Sequence, residues 1–145
     1  MNGWRISPLV CFEAVYSEYA REAVLAGASL LVNVSNDAWF AGGAGPEQHH
    51  AMSSMRTVEL RRPMVRASNG GISGAIGADG EEIGFAIDRH KAVGLYTIPS
   101  PSRRITAAAA LPGLVPGLAS VFASLAVLYA LKRRWAERDT EAATD

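Results

Sequence analysis

The chain has 145 residues, which is enough for one modest domain with its own core and too short for two full domains. Lysine plus arginine and aspartate plus glutamate both number 14, so the net charge is zero and no basic surface for nucleic acid is expected. A single cysteine excludes an intramolecular disulfide and any metal site built on cysteine pairs, and no cofactor is expected.

The first third of the chain predicts a strand, a helix and a second strand. Residues 5–10 are typical of a short strand that leads into Cys11. Small and apolar residues then recur at the spacing of one helix face between Ser17, a candidate N-cap, and Gly27, a candidate stop. Residues 29–34 form a continuous apolar run too short for a helix, so we expect a strand buried on both faces.

The middle of the chain predicts a loop and an amphipathic helix. Residues 35–46 are rich in turn formers, yet they include Trp39 and Phe40, which a merely solvated loop would not need. We therefore expect this loop to fold back over part of the domain. Residues 47–62 have apolar side chains at the spacing of one helix face, which is expected to face the core: Ala51, Met52, Met55 and Val58.

Four more strands are expected after this helix. Their ranges are residues 64–68, 72–77, 82–87 and 92–98, with a turn at residues 78–80 between the second and the third. Residues 1–98 are thus interpreted as one mixed α/β domain that begins in βαβα order. Residues 99–110 are interpreted as a linker.

Residues 111–131 predict a transmembrane helix. No residue from Ile105 to Leu131 is charged, and the segment reaches the roughly 20 residues that cross a bilayer core. The basic residues Lys132, Arg133 and Arg134 follow it and suit a headgroup region, and residues 132–145 form a polar tail. A buried core helix is the alternative, but the hydropathy and the flanking charges favour the membrane.

Cys11 stands where a strand is expected to end and a helix to begin. A thiolate is a strong nucleophile near neutral pH, and backbone N–H groups just after it, including that of Phe12, could hold an oxyanion. The N-terminus of the helix would favour the thiolate. The alternative is that Cys11 is a small core residue, and the local pattern taken alone favours that alternative.

The other chemistry-bearing residues give weaker signals. His49 and His50 are adjacent, so their side chains diverge on a helix and cannot chelate a metal as an i, i+4 pair would. We expect them at the surface or in contact with the preceding loop. The glycines among residues 70–74 enter a strand, so neither a dinucleotide site nor a phosphate-binding loop is supported.

Four blocks of sequence together resemble one known family. They are VCFE at residues 10–13, LLVNVSNDAWF at 30–40, GPEQH at 45–49 and MSSMRTVELRRPMVRASNGGIS at 52–73. In this order and spacing they resemble the C-terminal half of the apolipoprotein N-acyltransferase family, the membrane-anchored branch of the nitrilase, or carbon-nitrogen hydrolase, superfamily. The resemblance covers about residues 5–98, and the apolar segment after them agrees with that family.

The resemblance implies a fold and a reaction. The fold would be half of a nitrilase-type α-β-β-α sandwich followed by a C-terminal transmembrane helix. Cys11 matches the family's nucleophile, which takes an acyl chain from a phospholipid as a thioester and passes it to the N-terminal diacylglyceryl-cysteine of an apolipoprotein. Glu13 matches a carboxylate kept beside that cysteine, and its alternative role is a charge at a helix N-terminus. Trp39 would line the approach of the acyl chain.

The resemblance also implies a cellular location and an incomplete site. The location is the bacterial inner membrane, with the catalytic domain on the periplasmic side. The family uses a glutamate as general base and a lysine at the oxyanion, both upstream of the cysteine, whereas ten residues precede Cys11 and neither Lys91 nor Lys132 matches. We therefore expect a fragment, a split gene product or a misassigned start, with the N-terminal half of the enzyme missing and the isolated chain inactive.

Two other functions stay open on the sequence. A nitrilase-like amidase would use Cys11 to hydrolyse a C–N bond, although the transmembrane segment argues against it. A membrane-anchored remnant would only bind partners, and replacement of Cys11 would then change no cellular phenotype.

Overall fold

The computed structural model describes residues 3–40, 43–87, 93–99 and 104–142. The chain divides into two units, Met1–Ala110 and Leu111–Asp145. The first unit is a mixed α/β domain that contains every candidate site residue, and the second is one long helix.

A five-stranded sheet forms the centre of the first unit. Its spatial order follows the chain, the first three strands are parallel, and the last two pairings are antiparallel. The strands are β1 (Ile6–Val10), β2 (Leu30–Asn36), β3 (Met64–Asn69), β4 (Ile72–Ile76) and β5 (Glu82–Ile87). Parallel neighbours need crossover connections, which are the helices α1 (Ser17–Leu25) and α2 (Gly45–Leu60).

Both crossover helices cover the same face of the sheet. Leu9, Leu31 and Met64 of the three parallel strands belong to one buried apolar cluster. Val24 of α1 and Leu60 of α2 pack into the same cluster. The apolar core therefore lies in a single layer between the sheet and these two helices.

The opposite face of the sheet is apolar and less covered among the described residues. β2 alternates, with Leu31, Asn33 and Ser35 buried and Val34 53% exposed. The prediction of a strand at residues 29–34 is confirmed, but the expectation that both of its faces are buried is wrong. Only the side that faces the helices is closed off from solvent.

Two tight turns join the antiparallel strands. Gly70 and Gly71 connect β3 to β4, and Gly70 has a φ of +69°. Residues 78–80 form the turn between β4 and β5, as predicted, and Gly80 has a φ of +88°. Both angles lie in the left-handed region, which glycine adopts at little cost.

Most of the other predicted elements are confirmed. The strands at residues 5–10, 64–68, 72–77 and 82–87 and the helix from Ser17 are all present. The strand predicted at residues 92–98 is wrong over residues 93–98, which pair with no other strand in the described part of the chain, and residue 92 lies outside the described residues. Val93 and Leu95 are fully exposed, so the apolar alternation of this segment does not reflect burial in a sheet.

Helix α2 is present, but its inward face is not the predicted one. The side chains of Met52, Met55 and Val58, which the periodicity assigns to the core, are exposed. The buried side chains are mostly polar and are His49, His50, Ser53, Thr57 and Leu60. The surface position considered for the two histidines is therefore wrong, whereas the alternative, contact with the preceding loop, is confirmed for His49, whose Nδ1 lies 2.8 Å from Asp37 Oδ1. The helix covers a polar part of the sheet, so its polar side faces inward.

A short helix, α3 (Ala107–Ala110), closes the first unit and lies within the stretch interpreted as a linker. Ala109 of this helix is buried in the apolar cluster. The second unit contains α4 (Leu114–Ala142), and the most apolar 18 residues of its segment Leu114–Arg134 have a mean hydropathy of 2.0. By length and composition it is the one helix in the described ranges able to cross a membrane.

Candidate active site

Cys11 occupies a strained position at the carboxyl edge of the sheet. It follows β1 directly and begins a 3₁₀ turn, Cys11–Ala14. Its φ is +51°, a left-handed conformation that costs a residue with a Cβ about 1–3 kcal/mol. The side chain is half-buried. Such strain persists only where the surrounding structure holds it, and it is concentrated at functional sites.

A buried polar cluster lies next to Cys11. Its members come from β2, the residue after β2, β3 and α2, and they are Asn33, Ser35, Asp37, Arg66, His49 and Ser53. None of them is more than 8% exposed. The carboxyl ends of parallel strands are where open α/β sheets bind their ligands. The polar cluster therefore occupies the edge at which this class of fold carries function.

Three members of the polar cluster contact Cys11. Asn33 Nδ2 lies 3.0 Å from the carbonyl oxygen of Cys11, and His49 Nε2 lies 3.3 Å from the same atom. Ser35 Oγ lies 3.5 Å from Cys11 Sγ and 2.6 Å from Asp37 Oδ1, and its single proton can serve one of these acceptors at a time. The polar cluster thus reaches both the backbone and the sulfur of Cys11.

An ion pair between Asp37 and Arg66 forms the centre of the polar cluster. Arg66 Nη2 donates to Asp37 Oδ2 over 2.7 Å, and both side chains are fully buried. His49 Nδ1 lies 2.8 Å from the other oxygen, Oδ1. Such additional hydrogen bonds are required because removing an ion from water costs several kcal/mol, on the order of magnitude of the attraction itself.

The same contacts keep Asp37 charged. Burial raises the pKa of its carboxyl, but hydrogen bonds from Ser35 and His49 and the charge of Arg66 outweigh this effect. The pKa of Asp37 therefore lies below its ordinary value of 3.8. Burial lowers the pKa of the Arg66 guanidinium, and the neighbouring Asp37 opposes that change. A guanidinium stays protonated in proteins, so the pair is ionic at neutral pH.

Arg66 joins four elements of the fold. Its Nη1 donates to Asn33 Oδ1 over 2.7 Å and to Ser53 Oγ over 2.8 Å, and its Nε donates to the Ile72 carbonyl over 3.1 Å. Among the described residues, no three His, Cys, Asp or Glu side chains are grouped as metal ligands would be. The guanidinium is the cation that compensates the Asp37 carboxylate, since the two are paired over 2.7 Å.

Glu13 lies in the turn that Cys11 begins, as the sequence predicts. Its Oε2 accepts a hydrogen bond from the Val10 N–H over 2.7 Å. The carboxylate thus holds the N–H of the residue before Cys11, whereas the polar cluster contacts the carbonyl oxygen of Cys11 itself. Its predicted role in orienting the nucleophile or moving a proton stays a prediction.

Aromatic rings form a row beside the site. The Phe12 ring stacks on His49 with centroids 4.9 Å apart, and the Phe40 ring lies 6.2 Å from His49. Trp39 stacks on Phe40 at 4.2 Å and is 62% exposed. The loop after β2 therefore folds back over α2 through Phe40, as expected. The predicted contact of Trp39 with an acyl chain stays a prediction.

Gly71 leaves the space that the Asp37 carboxylate occupies. A Cβ placed at this buried position would collide with the side chains of Asp37 and Ser68. The hairpin between β3 and β4 therefore needs glycine here for a steric reason, in addition to the positive φ at its neighbour Gly70.

His50 is buried and makes a separate contact with an exposed carboxylate. Its Nε2 lies 3.3 Å from Glu82 Oε1 on β5. Burial lowers the pKa of His50 below its ordinary 6.5, and the hydrogen bond to Glu82 opposes that change. His50 is therefore predominantly neutral at pH 7.

Most of the polar cluster was not predicted from the sequence, although a signal for it exists. Asn33, Ser35 and Asp37 occupy every second position, on the same side of the strand as the core residue Leu31. Arg66 has the same relation to Met64 on β3. Polar residues that alternate along the buried side of two adjacent strands indicate a polar site within the fold.

Comparison with known proteins identifies the family to which the chain is similar. A family model described as carbon-nitrogen hydrolase matches residues 1–107. The apolipoprotein N-acyltransferase of Azotobacter vinelandii is 39% identical over 143 residues, covering 94% of this chain and 26% of that protein. The apolipoprotein N-acyltransferase of Geobacter metallireducens is 50% identical over 76 residues, covering 52% of this chain and 15% of that protein. The chain spans 26% or less of the length of these relatives.

Solved structures share the fold at lower identity. A carbon-nitrogen hydrolase from Helicobacter pylori aligns with a TM-score of 0.53 at 19% identity, over 61% of this chain and 38% of that chain. A variant amidase of the nitrilase superfamily from Nesterenkonia aligns with a TM-score of 0.50 at 22% identity, over 59% and 35% of the two chains. These likenesses concern the fold alone.

Proposed function

The chain belongs to the carbon-nitrogen hydrolase family, and on this premise we propose that it carries the nucleophile of a lipoprotein N-acyltransferase. One observation carries the proposal. The match to the relative from Azotobacter vinelandii covers 94% of the chain, so it reaches both Cys11 and the apolar segment Leu114–Arg134. The likeness to the amidase covers 59% of the chain. An enzyme that acts on lipid accounts for the apolar helix, which an amidase of small substrates does not need.

The first proposed step is acylation of Cys11 by a phospholipid. The thiolate attacks the carbonyl carbon of an acyl ester, a C–S bond forms, and the carbonyl oxygen becomes an oxyanion. The N–H of Phe12 lies in the first turn of a 3₁₀ segment, whose leading N–H groups have no acceptor within the turn, so it is suited to hold that oxyanion. The C–O bond then breaks, the leaving alkoxide takes a proton, and the acyl chain stays on Cys11 as a thioester.

The second proposed step transfers the acyl chain to an amine. The free α-amino group of a diacylglyceryl-cysteine at an apolipoprotein N-terminus attacks the thioester, the C–S bond breaks, and an amide forms. The amine loses a proton to a general base, and the Cys11 thiolate is regenerated. We assign this base, and the lysine that the family resemblance implies, to polypeptide outside these 145 residues.

Two further residues have proposed supporting roles. Glu13 is proposed to orient the nucleophile, since its carboxylate already holds the Val10 N–H beside Cys11. Trp39 is proposed to contact the acyl chain, since its exposed ring lies at the open end of the aromatic row. The proposed location is the bacterial inner membrane, with α4 as anchor and the catalytic domain in the periplasm.

A chimera tests the proposed function. The C-terminal part of the Azotobacter vinelandii relative that matches this chain would be replaced by these 145 residues, and the product expressed in cells depleted of their own lipoprotein N-acyltransferase. We expect mass spectrometry of a reporter lipoprotein to show triacylated product. The matched Cys11→Ala chimera should leave the reporter diacylated, and the 145-residue chain expressed alone should do the same.

The control is the unaltered relative, which must restore triacylation in the same cells. A chimera that reaches the membrane in equal amount yet leaves the lipoprotein diacylated would contradict the proposed function. Release of ammonia from short amides by those membranes, with no acyl transfer, would instead favour the amidase alternative.

A further inference from the structure

We infer that Asn33 and His49 are positioning residues that orient the peptide group between Cys11 and Phe12. Through that peptide group they direct the Phe12 N–H toward the reacting carbonyl. Arg66 and Asp37 hold the two positioning residues in place. The inference rests on the proposed function in one respect, namely that Cys11 forms an acyl thioester.

One backbone carbonyl group lies next to two side chains of the polar cluster. Asn33 Nδ2 and His49 Nε2 lie 3.0 and 3.3 Å from the Cys11 carbonyl oxygen. That oxygen only accepts hydrogen bonds, so Asn33 Nδ2 donates to it, and His49 Nε2 donates to it in the tautomer that carries the ring proton on Nε2. The peptide bond that follows is trans, and in a trans peptide the N–H points opposite to the C=O. The Phe12 N–H therefore points away from the buried polar cluster.

The strained backbone at Cys11 requires contacts that hold it in place. A residue with a Cβ at a φ of +51° relaxes to another conformation unless it is held. Here the backbone is held on both sides of Cys11. Glu13 accepts the Val10 N–H over 2.7 Å before it, and two donors hold the carbonyl after it. Loss of those donors would free the peptide group to rotate and remove the oxyanion donor.

Arg66 connects to the same carbonyl along two routes. In the first, its Nη1 donates to Asn33 Oδ1 over 2.7 Å, which fixes the amide so that Nδ2 faces the carbonyl oxygens of Leu9 and Cys11. In the second, its Nη2 donates to Asp37 Oδ2, and Asp37 Oδ1 lies 2.8 Å from His49 Nδ1. One buried guanidinium therefore orients both donors.

The ring of His49 is held at Nδ1 by two neighbours. Nδ1 lies 2.8 Å from Asp37 Oδ1 and 3.0 Å from Arg66 Nη2, which donates to it in the tautomer that carries the ring proton on Nε2. The ring is also stacked on Phe12, so its plane is fixed by packing as well as by hydrogen bonds. Nε2 therefore stays next to the Cys11 carbonyl oxygen, 3.3 Å away.

The test compares two reactions of the same thiol. Cys11 is the only cysteine in the chain, so any thiol reagent reports on it alone. Iodoacetamide reacts by displacement: a C–S bond forms, iodide leaves and no oxyanion arises. A p-nitrophenyl ester reacts through a tetrahedral oxyanion: a thioester forms and p-nitrophenolate leaves. Both rates depend equally on the thiolate fraction, so their ratio isolates oxyanion stabilisation.

The experiment uses the full 145-residue chain in detergent at one alkaline pH. His49→Phe removes both ring nitrogens and keeps a ring that can stack on Phe12. We expect it to lower the ratio of acylation to alkylation by about tenfold or more, short of the 10²–10³ that follows outright loss of an oxyanion donor. His49→Gln keeps an amide donor and should recover part of the ratio. Asn33→Asp, which replaces the donating Nδ2 by an oxygen, should lower it.

The matched control is Leu60→Ala, which loosens α2 without touching the Cys11 carbonyl and should leave the ratio unchanged. Circular dichroism would establish that each variant is folded. If His49→Phe does not fold, the ratios of acylation to alkylation in His49→Gln and Asn33→Asp decide. An unchanged ratio in His49→Gln and Asn33→Asp, or an equal fall in Leu60→Ala, would overturn the inference. Lipoprotein acylation does not enter this readout, so an inactive chimera would count against the proposed function alone.

Discussion

Helices α1 and α2 cover the same face of one sheet in opposite ways. α1 buries Ala20 and Val24, and its inward face is the apolar one that its periodicity predicts. α2 buries His49, Ser53 and Thr57 and exposes apolar side chains. The difference arises from what lies beneath each helix. A helix turns toward the sheet the side that matches the residues it covers, and under most of α2 those residues are polar.

The face of the sheet that the two helices cover therefore has two parts. One part is an apolar core that contains Leu9, Leu31 and Met64. The other is the polar cluster at the carboxyl ends of the strands, where Asp37 and Arg66 are fully buried as an ion pair. The first part stabilises the fold by burying apolar surface. The second part contacts the backbone of Cys11 through Asn33 and His49, whose side chains are buried.

The largest expected effect comes from breaking the ion pair. Arg66→Met leaves the Asp37 carboxylate buried without its cation, and we expect the free energy of unfolding to fall by about 3–5 kcal/mol. Urea titration followed by pulse proteolysis of the full chain in detergent would measure this. Adding Asp37→Asn to the same variant removes the stranded charge and should recover part of the loss. Equal stability of Arg66→Met and wild type would contradict this expectation, because the ion pair of the polar cluster would then contribute nothing to the free energy of unfolding.

Two substitutions on α2 test which side of this helix is packed against the sheet. Leu60 is fully buried, so Leu60→Ala should lower the free energy of unfolding by about 2–5 kcal/mol. Met55 is 60% exposed, so Met55→Ala should change it by less than about 0.5 kcal/mol. The same urea titration applies to both variants. If Met55→Ala were the more damaging of the two, the apolar side of α2 would be its packed side after all.

The smallest expected effect is a dependence of stability on pH through His50. Burial lowers the pKa of His50 in the folded chain, while the unfolded chain keeps the ordinary value of 6.5. As the pH falls through 6.5, the unfolded chain binds a proton that the folded chain does not yet bind, so stability is full above pH 6.5 and declines below it. His50→Gln removes this titration. An unfolding midpoint that falls between pH 7 and pH 5.5 equally in wild type and His50→Gln would assign the decline to other groups.

The sequence predicts the frame of the fold well, because strands and turns depend on local pattern. The parallel strands are short apolar runs, and residues 78–80 carry turn formers. The segment at residues 92–98 has the same local pattern and yet residues 93–99 form no strand, because a strand also needs a neighbour to pair with. Tertiary pairing is not encoded in a short window of sequence.

The candidate site is predicted only in part. The positions of Cys11 and Glu13 follow from the junction of strand and turn and from the family resemblance. The contacts of Arg66 with Asn33 and Asp37 join residues about 30 positions apart, and no helix or strand period relates them. Hydrophobic periodicity assumes an apolar interior, so it placed the wrong side of α2 inward. The alternation of polar residues along β2 was the available signal.

At position 11 the residue that suits the left-handed backbone best differs from the residue that carries a thiol. Glycine would adopt a φ of +51° without strain, so Cys11→Gly should give a more stable chain that has lost its only thiol. Selection for stability alone would therefore remove the cysteine. Its presence makes position 11 a place where the backbone is strained and the side chain is a thiol.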